Sequence, residues 1–341
     1  MVPARTPWAW LQNVMSPAAG PPESATCVYV SGNAVALSRL VSGRPSAMQL
    51  RADPIDELTQ ICPRLAEQLS SLADGSHLGP VNLVLAPELY ALNLLERPEV
   101  PDDELRDAAR WRVQEHIDFA ADEAVVDTFS LPRGAARDRE LIFVVAAQQD
   151  LVRSIVSEVA AAGLQLASID ITALALRNLV WNSFPMADQS VALLRLSASS
   201  GLINLSRAEN LYLSRRIAGV PADMSAPAWQ DFRERLLVQV QRSIDYYEST
   251  MGQPTCNLLM VACTHDWTEE VTSYLSECLT IPVRAIGEVL AGELSLELHN
   301  PNAEVIDWNA LDPRQVNAVT AGLPALGGVL RQRLNAHGVA G

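Results

Sequence analysis

From Val191 the chain runs VALLRLSASSGLINLSRAENLYLSRRI, crosses a short linker, and continues into LLVQVQRSIDYYES, ending at Ser249. The three strand-length runs are joined by Ser/Gly and Ala-Glu-Asn turns, residue types that accept the tight backbone needed to reverse a strand. In the stretch after the linker, Leu236, Val240 and Ile244 recur every four residues, so they share one helical face, and Ala228 to Thr250 reads as the longest helix. A hairpin sheet feeding one long helix must bury that sheet face against helix, which sets an α/β layer architecture.

The same order of elements opens the chain. CVYVSGNAVALSRL, from Cys27, alternates about Gly32-Asn33 as a β-hairpin, and Ile55 to Ala73 carries a helical stripe of Leu58, Ile61, Leu65, Leu69 and Leu72. Strands are expected over Pro80 to Leu85 and Tyr90 to Leu95, then a helix over Glu104 to Phe119 with an acidic first turn. Ala124 to Ser130 and Glu140 to Ala147 are strands about the polar turn RGAARDR, and a helix capped by Asp150 ends at Gly163. LQLASID is a strand leading into a helix over Thr172 to Trp181. Asn257 to Ala262, Glu269 to Leu279 and Pro282 to Ala285 alternate strand, helix, strand, and an apolar helix spans Ala318 to Leu334. Gly322, Gly327 and Gly328 lower its intrinsic propensity, which points to close backbone packing there.

Hairpins followed by helices, twice over, give a two-lobed chain. The expected parts are an amphipathic arm (1–23), a first lobe (24–98 with 165–188), an inserted subdomain (99–164), a second lobe (189–334) and a tail (335–341). The arm, with Trp8, Trp10, Leu11, Val14 and Met15, either packs on its own protein or is offered to a partner.

Charge narrows the partners. With 25 Lys plus Arg against 40 Asp plus Glu, a net charge of -15 repels phosphate backbones and anionic lipid. Nucleic acid and direct membrane binding are therefore disfavoured. No apolar run approaches the roughly 18–20 residues that span a bilayer, and Pro3, Pro7, Gln12 and Asn13 interrupt what a secretory signal would need. Five cysteines, odd in number and without a CxxC pair, suit buried thiols in a reducing compartment, hence the cytoplasm. His77, His116, His265, His299 and His337 are isolated, so no metal site is expected. GxSxG, GxxxxGK[ST] and GxGxxG are all missing, which removes serine hydrolase, P-loop and Rossmann readings.

Several pieces in order resemble one family: VLAPELYALNLLERPEVPDDELRDAARWRVQEHIDF, AVVDTFSLP, AAGLQLASIDITALALRNL, LSRRIAG with QVQRSIDYYES, and LPALGGVLR. Spanning about residues 24–331, they are similar to the MshI branch of the PilM-type actin-like proteins, which serve MSHA-type and related type IV pili. The resemblance implies a two-lobed actin-like (ribonuclease H-like) ATPase fold with a small subdomain inserted in the first lobe. It implies as partner a PilN-like (MshJ-like) single-span protein of the inner membrane, with other pilus components. The chain would then lie on the cytoplasmic face, peripheral through that partner.

In such a fold two glycine-containing hairpins cradle phosphates and aspartates hold Mg²⁺. Here the first loop keeps Gly32 beside Ser31. In the second, Arg195 stands at the acidic position and Ser197 at the glycine, followed by Ser199, Ser200 and Gly201. The adenosine-side Gly-Gly pair is replaced by Ala262 and Cys263. The residues thus lead to a scaffold with a degenerate nucleotide site, no cofactor and no catalytic residue. An ATP/Mg-dependent switch in which Arg195 contacts phosphate is the alternative. Partner docking is expected in a groove near Leu83 to Leu95 and Leu105 to Ile117, using Leu83, Leu85, Tyr90, Leu92, Leu105, Trp111 and Ile117.

Overall fold

The computed structural model describes residues 24–31, 34–41, 44–52, 70, 80–132, 134–136, 139–183, 189–197, 200–221, 225–263, 267–293 and 320–331. The expected arm, the 55–73 helix and the tail lie outside these residues.

Among the described residues three sheets carry the fold. The first lobe is a five-stranded sheet in the order β3-β2-β1-β4-β8. It is built from β1 (Ser24–Val30), β2 (Ala34–Val41), β3 (Arg44–Ala52), β4 (Pro80–Leu85) and β8 (Gln165–Ile171). The β1–β2 hairpin is antiparallel, whereas β4 runs parallel to both neighbours, β1 and β8. Flanked by strands on both sides, β4 is interior from Val81 to Leu85 and apolar apart from Asn82, whose Oδ1 accepts from Ser168 of β8 at 2.6 Å. Sequence reasoning did not find β3: in RPSAMQLRA only Met48, Leu50 and Ala52 alternate with polar residues, a short pattern behind Pro45, and the segment is placed in the sheet by pairing with β2.

A small three-stranded sheet, β5-β7-β6, forms the insertion from β5 (Ala91–Glu96), β6 (Ala124–Ser130) and β7 (Leu141–Gln148). Because β5 pairs with β7, the insertion begins before β5 and not at the expected boundary of 98/99. Helix α1 (Leu105–Val113) covers one face, and Leu105, Ala109 and Val113 pack with Ile142, Val144 and Ala146 in a core of their own. This helix stops well before Phe119. The side chain of Gln114 accepts from the Ala121 amide (2.6 Å) and donates to the Phe119 carbonyl (3.3 Å), which turns the chain after Val113. Helix α2 (Gln149–Ala161) lies against the opposite face and ends at Gly163, whose φ of +74° is the left-handed cap expected. Asp150 is not its cap: it sits inside the first turn, paired with Arg153 at 2.5 Å.

The second lobe repeats the plan as β11-β10-β9-β12-β13. Its strands are β9 (Ser190–Ser197), β10 (Ser200–Arg207), β11 (Asn210–Ile217), β12 (Leu258–Cys263) and β13 (Val283–Ala285). The long helix α4 (Ala226–Asp245) closes in a π turn over Tyr246–Thr250. Tyr247 is fully interior and shares a 2.8 Å hydrogen bond with Ser190, while Tyr246 lies half-buried under Arg215. Of the cysteines, Cys27, Cys256 and Cys263 are buried as expected, but Cys278 is exposed; Cys62 lies outside the described residues.

Ala208, in the β10–β11 turn, has φ +50°. L-residues with a Cβ pay for that region, so Ala208→Gly is expected to raise stability by about 0.5–1 kcal/mol in urea denaturation.

Two helices join the lobes: α3 (Thr172–Ser183) and the helix over 320–331. Helix α3 begins under Leu85, whose carbonyl accepts from Thr172, and its Ala173 carbonyl accepts from Asn204 of β10 at 2.8 Å. The 320–331 helix packs where side chains leave no room. A Cβ on Gly327 would collide with the Ala175 carbonyl, and one on Gly328 with Cys27 Sγ and with Val84 Cγ2 at 2.7 Å. Asn178 donates to the Gly327 carbonyl at 3.2 Å. The remaining helices, α5 (Thr268–Cys278) and α6 (Ile286–Glu293), cover the second sheet beside β12 and β13.

Candidate functional site

The hairpins singled out in the sequence converge between the lobes. Register places Ala262 beside Arg195 and Cys263 beside Leu196 on neighbouring parallel strands, and the β1 hairpin brings Tyr29 against them. Arg195 is 3% exposed, with its guanidinium carbon 5.7 Å from the Tyr29 ring centroid and Nη2 donating to the Ala321 carbonyl at 3.4 Å. Its Nε finds no hydrogen-bond partner among the described residues. Burial pushes the Tyr29 hydroxyl above its ordinary pKa, while Arg195 and a hydrogen bond from Ser31 act in the opposite direction. The arginine therefore lies on an aromatic face, joined to both hairpins and the 320–331 helix.

A Mg²⁺-nucleotide fits this donor set poorly. The residue aimed inward from β9 is a cation, which repels a metal ion. Gly201 does not open room for phosphate either: a Cβ there would meet Ile217 Cβ at 2.7 Å and Val220 at 3.0 Å, so this glycine serves packing within the lobe. Ser197 and Ser200 close the second hairpin on each other, hydroxyl to hydroxyl at 2.6 Å. Ser31 is buried in contact with Tyr29, and Gly32 and Ser199 lie outside the described residues. Ala262 and Cys263 are not loop residues as expected; they end β12 with no exposure, and residues 264–266 lie outside those described.

One acid near the cleft was missed from sequence. Asp170, at the end of β8, is 7% exposed, accepts from the Ile171 amide at 2.8 Å and pairs with Arg331 at 3.5 Å. Strand position alone did not set it apart from other aspartates. Among the described residues no three of His, Cys, Asp and Glu gather as a metal site.

The expected partner groove changes in composition. Leu83 and Leu85 are interior residues of the central strand β4, Tyr90 is 6% exposed and Leu105 belongs to the small core, so none of these can be a contact surface. Leu92 and Ile117 are half-buried, and Trp111 is 67% exposed. What lies at the surface is a groove of about 440 Å³ between β5 and the end of α1, lined by Leu95, Glu96, Trp111, Arg112, Glu115 and His116.

The floor of that groove is a free sheet edge. The Arg97 amide donates to Glu140, so 97↔140 is a hydrogen-bonded pair, and alternation directs residues 91, 93 and 95 toward β7. Leu92, Leu94 and Glu96 therefore aim amide and carbonyl away from the sheet, and among the described residues no strand takes them up. Side chains on the α1 face, Leu95 among them, open toward Trp111.

With this geometry the chain is similar to a PilM–PilN type IV pilus biogenesis complex, with a TM-score of 0.66 at 18% identity over 92% of this chain and 99% of that one. A Bacteroides thetaiotaomicron protein with an actin-like ATPase fold and unknown function aligns with a TM-score of 0.51 at 8% identity, covering 78% and 92% of the two chains. No family model and no curated protein matches. At these identities the likeness establishes the fold, which is actin-like as expected from the sequence. Among the described residues no helix is long and apolar enough to cross a membrane.

Proposed function

We propose that the chain is a scaffold of a type IV pilus machine that takes the cytoplasmic tail of a PilN-like inner-membrane protein as an added strand on β5. The observation that carries this reading is the edge at Leu92, Leu94 and Glu96, which no strand among the described residues pairs, beside the Trp111 groove. Main-chain bonds would supply affinity, and alternate side chains of the tail would enter the groove against Leu95 and Trp111. Juxtamembrane tails on the cytoplasmic side are commonly basic, which suits the net charge of -15 and Glu96 and Glu115 of the groove, whose lining also holds Arg112 and His116. An MSHA-type system, with an MshJ-like partner, is the specific assignment we favour, and it puts the chain at the cytoplasmic face of the inner membrane.

In this reading the nucleotide cleft is vestigial. Arg195 sits on Tyr29 as a structural cation, and no step runs through ATP.

The test is anisotropy titration of a labelled PilN-like tail peptide. Wild type should bind saturably, and Trp111→Ala should weaken binding about tenfold or more with an unchanged melting temperature, because Trp111 is 67% exposed in the free protein. No saturable binding by wild type would reject the docking reading. A parallel titration with fluorescent ATP and Mg²⁺ should show none; micromolar binding lost in Arg195→Ala would favour the nucleotide switch instead.

A further inference from the structure

One second-lobe side chain reaches the docking edge itself. Arg216 of β11 donates through Nη2 to the carbonyl of Tyr90 at 2.7 Å and to that of Pro87. These carbonyls bracket the short 3-10 turn, Pro87–Leu89, that delivers the chain into β5. Tyr90 has extended backbone and precedes Ala91, so alternation puts its carbonyl in the same outward set as Leu92, Leu94 and Glu96. The first acceptor of the free edge is thus already occupied from the other lobe.

Tyr90 is held at its side chain as well. The Ala173 amide, in the first turn of α3, donates to its hydroxyl at 3.3 Å, and α3 packs on β10 and β11. The residue that starts the edge is fixed to the helix between the lobes and, through Arg216, to the outermost strand of the second sheet.

We infer that Arg216 is a positioning residue for partner docking: it ends the free edge at Tyr90 and ties the entry of β5 to the second lobe. The inference rests on the β5 docking reading. Two consequences follow from the geometry. An added strand can pair only from Leu92 to Glu96, so tail residues beyond Leu92 gain no main-chain bonds. Occupancy of the edge and the arrangement of the lobes also become coupled, and the coupling is reciprocal. Both bonds leave one nitrogen, Nη2, at the end of the long arginine side chain; the shorter lysine keeps the charge but sets its ammonium short of that position, so it replaces the two bonds in part.

Full-length wild type, Arg216→Ala and Arg216→Lys would be compared by hydrogen exchange over residues 87–96 and by titration of a PilN-like tail peptide in full and shortened forms. Arg216→Ala should speed exchange of that segment and weaken peptide binding, each by about five- to tenfold, with Arg216→Lys between. Wild type should not distinguish the full peptide from one trimmed beyond Leu92, whereas Arg216→Ala should prefer the longer. Exchange and affinity both unchanged in Arg216→Ala would overturn the proposal. If wild type fails to bind peptide, docking falls and the coupling to a partner falls with it; the exchange comparison then still decides whether Arg216 holds the strand entry. A melting temperature within a few degrees of wild type, expected for an exposed strand residue, separates these outcomes from global unfolding.

Discussion

Gly327→Ala is expected to cost about 3 kcal/mol or more of stability, since among the described glycines it is the one whose added methyl would meet backbone most closely. The new Cβ would land on the Ala175 carbonyl, with the carbonyl carbon at 2.6 Å, and backbone cannot move aside as a flexible side chain can. In an exposed helix the same change would stabilise by somewhat under about 1 kcal/mol, since alanine is the better helix former. The sign is reversed here by contact alone. The 320–331 helix must shift outward, loosening the Asn178 bond to the Gly327 carbonyl and the Arg331–Asp170 pair. Guanidinium denaturation would show the loss as a lower midpoint. An unchanged or higher midpoint would mean that the helix is not seated against α3 as described.

The second large effect concerns docking. Leu94→Pro should abolish binding of a PilN-like tail, lowering affinity by about a hundredfold or more, while the protein stays folded. The Leu94 amide points away from β7, so proline removes no bond of the existing ladder; it deletes a donor at the centre of the free edge and sets its ring where the added strand would lie. Leu94 is half-buried, so a stability loss of about 1–2 kcal/mol accompanies the change. Asn93→Pro is the matched control. Its amide faces β7, opposite Val144, so proline there breaks the small sheet at a cost of about 3 kcal/mol. If Leu94→Pro binds peptide as wild type does, the tail does not pair with β5. If both variants unfold alike, the assignment of outward and inward residues is wrong.

Arg195, Arg216 and Asn204 all reach from the second lobe to carbonyls or rings outside its sheet, so the lobes are joined by protein donors. Such donors act without a ligand. On the docking reading proposed above, an edge supported in this way would be formed before the partner arrives, which would lower the ordering cost of binding.

The sequence by itself determined the elements and their order. Four-residue spacing marks α4, a glycine ends α2, and the hairpins at Val191 and Cys27 follow from alternation about turn residues; each of these is written in neighbouring positions. Arg195 and the serines near it could be assigned to a hairpin for the same reason. Tertiary structure alone decided the rest. RPSAMQLRA alternates only from Met48 to Ala52 and becomes the full β3 by pairing with β2, and Tyr90 to Leu95, legible as a strand, says nothing of which sheet it joins. Leu83 and Leu92 look alike as apolar strand residues, yet one lies in a strand with neighbours on both sides and the other on an open edge. Nor does local pattern reveal that Gly327 meets Ala175 or that Arg216 reaches Tyr90. Periodicity records which way a side chain points relative to its own backbone, whereas exposure and contact depend on what distant segments place opposite it.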